Sequence, residues 1–90
     1  MRSFNLKISS PDGDLFCGDA VNLILRGTEG ELAVMAGHVP FATAVVPCRC
    51  KVILENGNER LATTDGGLLT VTSEKVLFLS GSFKWEELSR

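Results

Sequence analysis

The sequence predicts an all-β domain, a flattened antiparallel β-sandwich or barrel of about 8–10 short strands. Three observations carry that reading. Apolar and polar residues alternate with period 2 in segment after segment, and turn residues interrupt them at roughly 8–12-residue intervals. The first 80 residues hold no window with a sustained 3.6-residue period. A chain of 90 residues is one domain. At that size roughly 60–65% of the unfolded surface is buried, enough for a modest core and a shallow groove rather than a deep, water-excluding active site. Residues 1–82 are assigned to the sandwich and residues 83–90 to a C-terminal tail.

Phe4-Asn5-Leu6-Lys7-Ile8-Ser9 alternates from its first residue and reads as a half-buried strand. Pro11-Asp12-Gly13 turns the chain. Leu15-Phe16-Cys17 and Val21–Leu25 follow, split at Gly18-Asp19 by an expected bulge or bend. The stretch Gly27–Thr43 fixes the backbone most firmly. Gly27 and Gly30 enclose Thr28-Glu29, Gly37-His38-Val39-Pro40 closes the other end, and Leu32–Met35 is a short strand between them.

Phe41–Val46 is apolar and ends at Pro47, which cannot donate to a ladder and marks an edge or a corner. From Cys48 to Leu54 the alternation returns: Cys48, Cys50, Val52 and Leu54 share the apolar face, with Arg49, Lys51 and Glu55 opposite. Asn56-Gly57 is a strong hairpin signal, with Glu59–Thr64 as the returning strand. Asp65-Gly66-Gly67 leads into Leu68–Thr72, and Ser73-Glu74 into Val76–Leu79. The last segment, Ser82–Leu88, is expected to form a single helical turn pairing Trp85 with Leu88, with Trp85 as a lid over the end of the core.

Composition excludes several function classes. Apolar residues make up 44% and charged residues 22%, ordinary for a globular domain, and the net charge is −2 with no run of Lys or Arg. Nucleic acid and anionic lipid both require a concentrated basic patch, so neither is an expected partner. No apolar stretch approaches the roughly 20 residues of a membrane span, and the N-terminus lacks a signal peptide's apolar centre. Cys17, Cys48 and Cys50 are odd in number and lack disulfide-framework spacing, which fits a reducing cytoplasmic compartment.

Candidate chemistry is sparse. Cys48-x-Cys50 with Cys17 and His38 offers four zinc-type ligands, but the pair sits on the apolar face of a strand without a knuckle spacer, and buried cysteine behaves as a small hydrophobe. All three thiols are expected to be core residues that react slowly until the protein unfolds. A Cys–His nucleophile oriented by Asp65 lacks any signature that brings its members together. Gly27-x-x-Gly30 is no phosphate cradle: no helix N-terminus follows it, and Glu29 and Glu31 would repel the anion. Glu29 and Glu31 themselves fit either a solvated turn or a negative contact for a basic loop on a partner. A free-standing β-sandwich binding a small molecule or a metal is the rival function.

Gly27-Thr-Glu-Gly-Glu-Leu32, followed by Gly37-His-Val-Pro40 and Thr43-Ala44, resembles the signature of the epsilon subunit of F-type ATP synthase. Supporting pieces stand in order: Phe4–Gly13, Phe16–Val21, Thr64–Val71 and Lys75–Leu79, so that the resemblance covers residues 3–81. It implies a ten-stranded flattened β-sandwich that is not catalytic, needs no cofactor or metal and couples the gamma subunit to the c-ring in the central stalk of a proton- or sodium-translocating rotary synthase. Glu29, Gly30 and Glu31 match the loop facing the c-ring, where a basic residue is expected; Ser10, His38 and Thr43 match positions lying against gamma. The implied location is the cytoplasmic side of the cell membrane, peripheral through partner subunits and without lipid insertion. The isolated domain is expected to self-associate through the face that would meet gamma.

Departures from that pattern are local. Ala33 and Ala36 stand where glycine and proline are usual, Asp65 replaces a small residue, and Pro-Cys-Arg-Cys occupies 47–50. The resemblance also implies a C-terminal helical hairpin with an inhibitory role, and this sequence ends at Arg90, where that hairpin would begin. If the chain is whole, the expectation is a rotor coupling without the hairpin's switch and without nucleotide binding; if it is part of a longer protein, the switch has merely been removed with the rest.

Overall fold

Alternation of side chains becomes a single curled sheet in the computed structural model, which describes residues 2–37 and 39–86. Ten strands form among these residues: β1 (Phe4–Ser10), β2 (Gly13–Ala20), β3 (Asn22–Gly27), β4 (Gly30–Val34), β5 (Phe41–Val45), β6 (Cys48–Ile53), β7 (Glu59–Thr64), β8 (Gly67–Val71), β9 (Lys75–Ser80) and β10 (Phe83–Trp85). Their order is β10-β7-β6-β3-β5-β8-β9-β1-β2, with β4 pairing on β3. Two leaves follow from this order. One holds β10, β7, β6, β3 and β4; the other holds β5, β8, β9, β1 and β2. A single residue pair, Gly27 with Val45, joins them in the ladder, supported by the Val46 amide donating to the Arg26 carbonyl at 3.0 Å.

Both leaves turn one set of alternating side chains inward. Leu6 and Ile8 of β1, Leu69 of β8 and Phe78 of β9 meet Leu23 and Leu25 of β3, Val34 of β4 and Cys50 and Val52 of β6, all essentially without solvent exposure. Full burial of each such aliphatic or aromatic side chain contributes about 1.5–3 kcal/mol. The free ends of the sheet are brought together by aromatic packing. Trp85 stands edge-on to Phe16 with ring centroids 6.2 Å apart, and its Nε1–H donates to the Leu15 carbonyl at 3.3 Å. Trp85 is thus the lid the sequence predicts, and it almost closes the sheet into a barrel.

The Asp65-Gly66-Gly67 corner shows why glycine stands there. A Cβ on Gly66 would run into the Val45 carbonyl oxygen, and one on Gly67 into that of Leu79. Both collisions are with backbone of neighbouring strands, so neither can be relieved by a side-chain rotation. Beside them the buried hydroxyls of Thr64 and Ser80 share a 2.7 Å hydrogen bond, and the Asp65 carboxylate accepts from the Ser82 amide at 2.9 Å. The departure at Asp65 therefore has a role: it caps the turn into β10.

Four expectations are corrected. Gly18-Asp19 is no bulge: β2 passes through it in register, Gly18 opposite Leu6. The irregularity lies between Ile8 and Ser9, where Phe16 and Asp14 are the partners and Leu15 is the extra residue. One pairing, β1 with β9, is parallel, because the rest of the chain connects the two strands and no tight turn forces reversal. The helical turn expected over 82–88 is instead strand β10, which lies beyond the boundary placed at residue 82. Its Phe83 and Trp85 pair with Thr64 and Ala62 on the free edge of β7. Phe83 also packs edge-on to Phe78 at 6.2 Å, a contact a helix would have lost; Leu88 lies outside the described residues. Finally, Cys17 is exposed: β2 turns Phe16, Gly18 and Ala20 to the core side, which sends Cys17 and Asp19 outward.

Candidate functional site: an acidic hairpin and an apolar sheet face

The antiparallel register gathers the connections into two groups. Turns 11–12, 28–29, 46–47, 65–66 and 81–82 lie at one end of the sandwich; 35–37, 39–40, 54–58 and 72–74 lie at the other. At the first end β3 and β4 form a tight hairpin, Gly27 opposite Gly30 with Thr28-Glu29 as its two-residue loop. Gly30 has φ +122, a conformation that side chains resist, and its surroundings are otherwise open. The loop therefore projects with a fixed backbone. Glu29 and Glu31 are both exposed on it, Glu31 across the ladder from Arg26. Among the described residues the ion pairs are Lys7–Asp14, Arg49–Glu86 and Lys51–Glu59, so neither hairpin carboxylate is locked in a salt bridge, although Glu31 faces Arg26 across the ladder.

A shallow groove of about 380 Å³ runs between this hairpin and β5, lined by Gly27–Leu32 and Phe41–Thr43. The structure thus brings Glu29, Gly30, Glu31 and Thr43 together. Gly27 lies at the base of that groove: a Cβ there would lie 3.0 Å from Leu32 Cδ2, 3.6 Å from the Ala44 carbonyl oxygen and 3.7 Å from Thr43 Oγ1. Ser10 stands elsewhere. It ends β1, three strand spacings across the sheet from β5, roughly 14 Å away. Its Oγ accepts from the Asp12 amide at 3.2 Å, shaping the first turn. His38 lies outside the described residues.

The other site feature was missed by pattern reading. On the outer face of the β5-β8-β9-β1 leaf, Ala44, Leu68, Leu79 and Ser9 stand side by side in register. Leu68 and Leu79 are 47% and 45% exposed, large apolar side chains adjacent to one another on a solvent face. The signal was present in the sequence. Leu68-Leu69 and Val76-Leu77-Phe78-Leu79 are unbroken apolar runs, the pattern of strands covered on both faces rather than one.

The cysteines do not converge. Cys17 is exposed on β2, Cys48 is half-buried and Cys50 is fully buried in the core. Burial pushes the Cys50 thiol up to about 12, with the neighbouring Cys48 charge adding to the effect. Among the described residues no three His, Cys, Asp or Glu side chains gather as metal ligands. Past β10, Arg49 forks onto Glu86 with hydrogen bonds of 2.9 and 2.7 Å, and the Glu86 amide donates to the Leu61 carbonyl at 2.8 Å. That fork holds the Glu86 carboxyl below its ordinary range. Arg60 lies 3.8 Å over the Trp85 ring, so the end of β10 is pinned from two sides.

The sequence model of a family described as "ATP synthase, Delta/Epsilon chain, beta-sandwich domain" matches residues 3–86. Similar curated proteins include the ATP synthase epsilon chain of Clostridium perfringens (strain SM101 / Type A), 32% identical over 97% of this chain and 65% of that protein. The epsilon chain of Clostridium novyi is 34% identical over 96% of this chain and 66% of its own length. The sodium ion specific ATP synthase epsilon chain of Acetobacterium woodii is 33% identical over 96% and 65%. The chain therefore spans about 65% of the length of these relatives. A chain in the Euglena gracilis mitochondrial ATP synthase, OSCP/F1/c-ring in rotational state 1, superposes with a TM-score of 0.88 at 23% identity, covering 97% of this chain and 56% of that one. A second, from the Tetrahymena thermophila mitochondrial ATP synthase central stalk/c-ring, gives 0.74 at 11% identity over 91% and 66%. At those identities the two structures speak for the fold alone.

Proposed function

The chain belongs to the delta/epsilon-chain β-sandwich family of ATP synthase, and from that membership we propose that it is a central-stalk rotor subunit coupling the gamma subunit to the c-ring. The observation that carries the reading is the presence of two unlike docking surfaces on one curled sheet. At one end the exposed carboxylates Glu29 and Glu31 stand on a rigid hairpin, outside any salt bridge; on the outer leaf face Leu68 and Leu79 form an uncovered apolar row. Charge opposite a basic c-ring loop sets register and attracts from a distance, while apolar area supplies holding strength. In this reading the hairpin meets the c-ring and the apolar leaf, with Ser10 at the end of β1, meets gamma.

The chain performs no chemistry of its own in this role. Torque passes through it as a solid body, which suits a sandwich whose leaves share one packed core. It would sit on the cytoplasmic side of the membrane, held by partners rather than by lipid, in a synthase that moves protons or sodium ions. Without its partners the Leu68–Leu79 row is left open to water, which favours self-association of the isolated domain.

Glu31→Lys tests the reading. The hairpin is exposed and its backbone is set by Gly30, so the variant is expected to stay folded and to lose only about 1 kcal/mol, the cost of setting a like charge opposite Arg26. Its attachment to the c-ring, and ATP-driven ion pumping in membranes carrying it, should fall. Normal pumping and attachment would overturn the hairpin assignment.

A further inference from the structure

We propose that Thr43 is a positioning residue for the acidic hairpin, holding it against β5. This rests on the rotor reading for its functional meaning, but the positioning itself is a property of the free chain. The resemblance implies a gamma contact for Thr43; the ladder puts its side chain on the opposite side of β5 from the Ala44–Leu68–Leu79 row. Ala42 and Ala44 are the exposed residues of β5, whereas Thr43 is half-buried and pairs with the fully buried Leu69. Successive residues of a strand face opposite ways, so Thr43 points inward toward the hairpin groove.

There it stands over the bare Cα of Gly27. An added Cβ at Gly27 would find Leu32 Cδ2 at 3.0 Å, the Ala44 carbonyl oxygen at 3.6 Å and Thr43 Oγ1 at 3.7 Å, so the Leu32 and Thr43 side chains, with the β5 backbone between them, bound the space over the hairpin base. The contact matters because so little else joins β3 to β5. Among the described residues the ladder between them is the single pair Gly27–Val45, joined by the hydrogen bond from Val46 N–H to the Arg26 carbonyl. The Thr43 hydroxyl donates to the Ala44 carbonyl at 3.2 Å, which fixes the side chain in its place over Gly27. Thr43 and Leu32 are therefore the side-chain wedge that sets the angle at which Glu29 and Glu31 leave the sandwich. The outer neighbours Ala42 and Ala44 belong to the apolar face, so β5 serves both surfaces at once. A displacement of β5 by the partner on that face would reach the carboxylates through Thr43.

The test uses the 90-residue chain with Thr43→Ala, Thr43→Ser and Gly27→Ala. Amide exchange at Thr28–Glu31 in the free chain reads hairpin positioning directly. We expect it to quicken about fivefold in Thr43→Ala through more frequent local opening, and to return close to wild type in Thr43→Ser, which keeps the hydroxyl. Gly27→Ala, which pushes Leu32 from the other side, should quicken the same amides. Binding to detergent-solubilised c-ring should weaken by a similar factor in Thr43→Ala while binding to gamma stays within about twofold. Unchanged exchange at the hairpin in Thr43→Ala overturns the proposal, as does loss of gamma binding with c-ring binding intact. If the wild-type chain binds neither subunit, the rotor reading fails, and the exchange data still decide the positioning.

Discussion

Thiol reactivity tests which side of each strand faces water, and its size follows from the structure. Cys50 has no solvent exposure, and burial, with Cys48 adding to it, pushes its pKa from an ordinary 9.0 up to about 12. A rise of that size leaves about a thousandth of the thiolate that an ordinary cysteine carries near neutral pH, and the thiolate is the reacting species. The alternative route, labelling through transient unfolding, restores an ordinary thiol but must first open a domain whose stability is of order 5–13 kcal/mol. That again costs at least about three orders of magnitude. Cys17 is exposed on the outer side of β2 and should label as fast as an unstructured thiol, with half-buried Cys48 between the two. The assay is maleimide labelling under reducing pre-treatment, with sites read by peptide mass in native buffer and in denaturant. Cys50 labelling as fast as Cys17 in native buffer, or Cys17 protected until denaturation, would refute the register of β6 or of β2.

Other consequences are as direct. Gly67→Ala places a methyl group into the Leu79 backbone and should prevent stable folding, whereas Gly57→Ala, with open space around it and only a φ of +90 to resist, should cost about 1 kcal/mol by urea denaturation. Leu68→Glu should leave the melting temperature within a few degrees, because the side chain is half exposed, yet abolish attachment to gamma and any self-association measured by sedimentation. For the Arg49–Glu86 fork the pH sign is fixed: the folded carboxyl lies below its unfolded 4.5, so its contribution is complete above that pH and fades as pH falls through the lower folded value. The melting-temperature gap between wild type and Arg49→Ala should therefore shrink on acidification below about pH 4.5, and by little in all, since both groups face water.

Much of this was legible in the sequence because alternation and turn chemistry are local. Leu6 and Ile8, Cys50 and Val52, and Asn56-Gly57 announced their faces and their hairpin, and the structure keeps them. What escaped depended on partners distant in sequence. The bulge opposite Ile8 is set by how β1 and β2 fit each other, so the glycine at 18, a local breaker signal, pointed to the wrong place. Strand β10 exists because β7 offers a free edge and Phe78 offers a ring to pack on; within Phe83-Lys84-Trp85 the period of two was present but short. The outward turn of Cys17 was readable from Asp19 two residues later on the same face. Of the site, Glu29, Gly30 and Glu31 were visible from their turn. The Ala44–Leu68–Leu79 row was not, because three strands from different parts of the chain assemble it.

The central claim is that this sandwich joins gamma to the c-ring, and the most direct measurement is co-purification. The tagged chain, isolated from its native host in gentle detergent, should bring down gamma and the c-ring in stoichiometric amounts, with Glu31→Lys losing the ring and Leu68→Glu losing gamma. Recovery of the 90-residue chain without either subunit would contradict the claim and leave the fold in some other service.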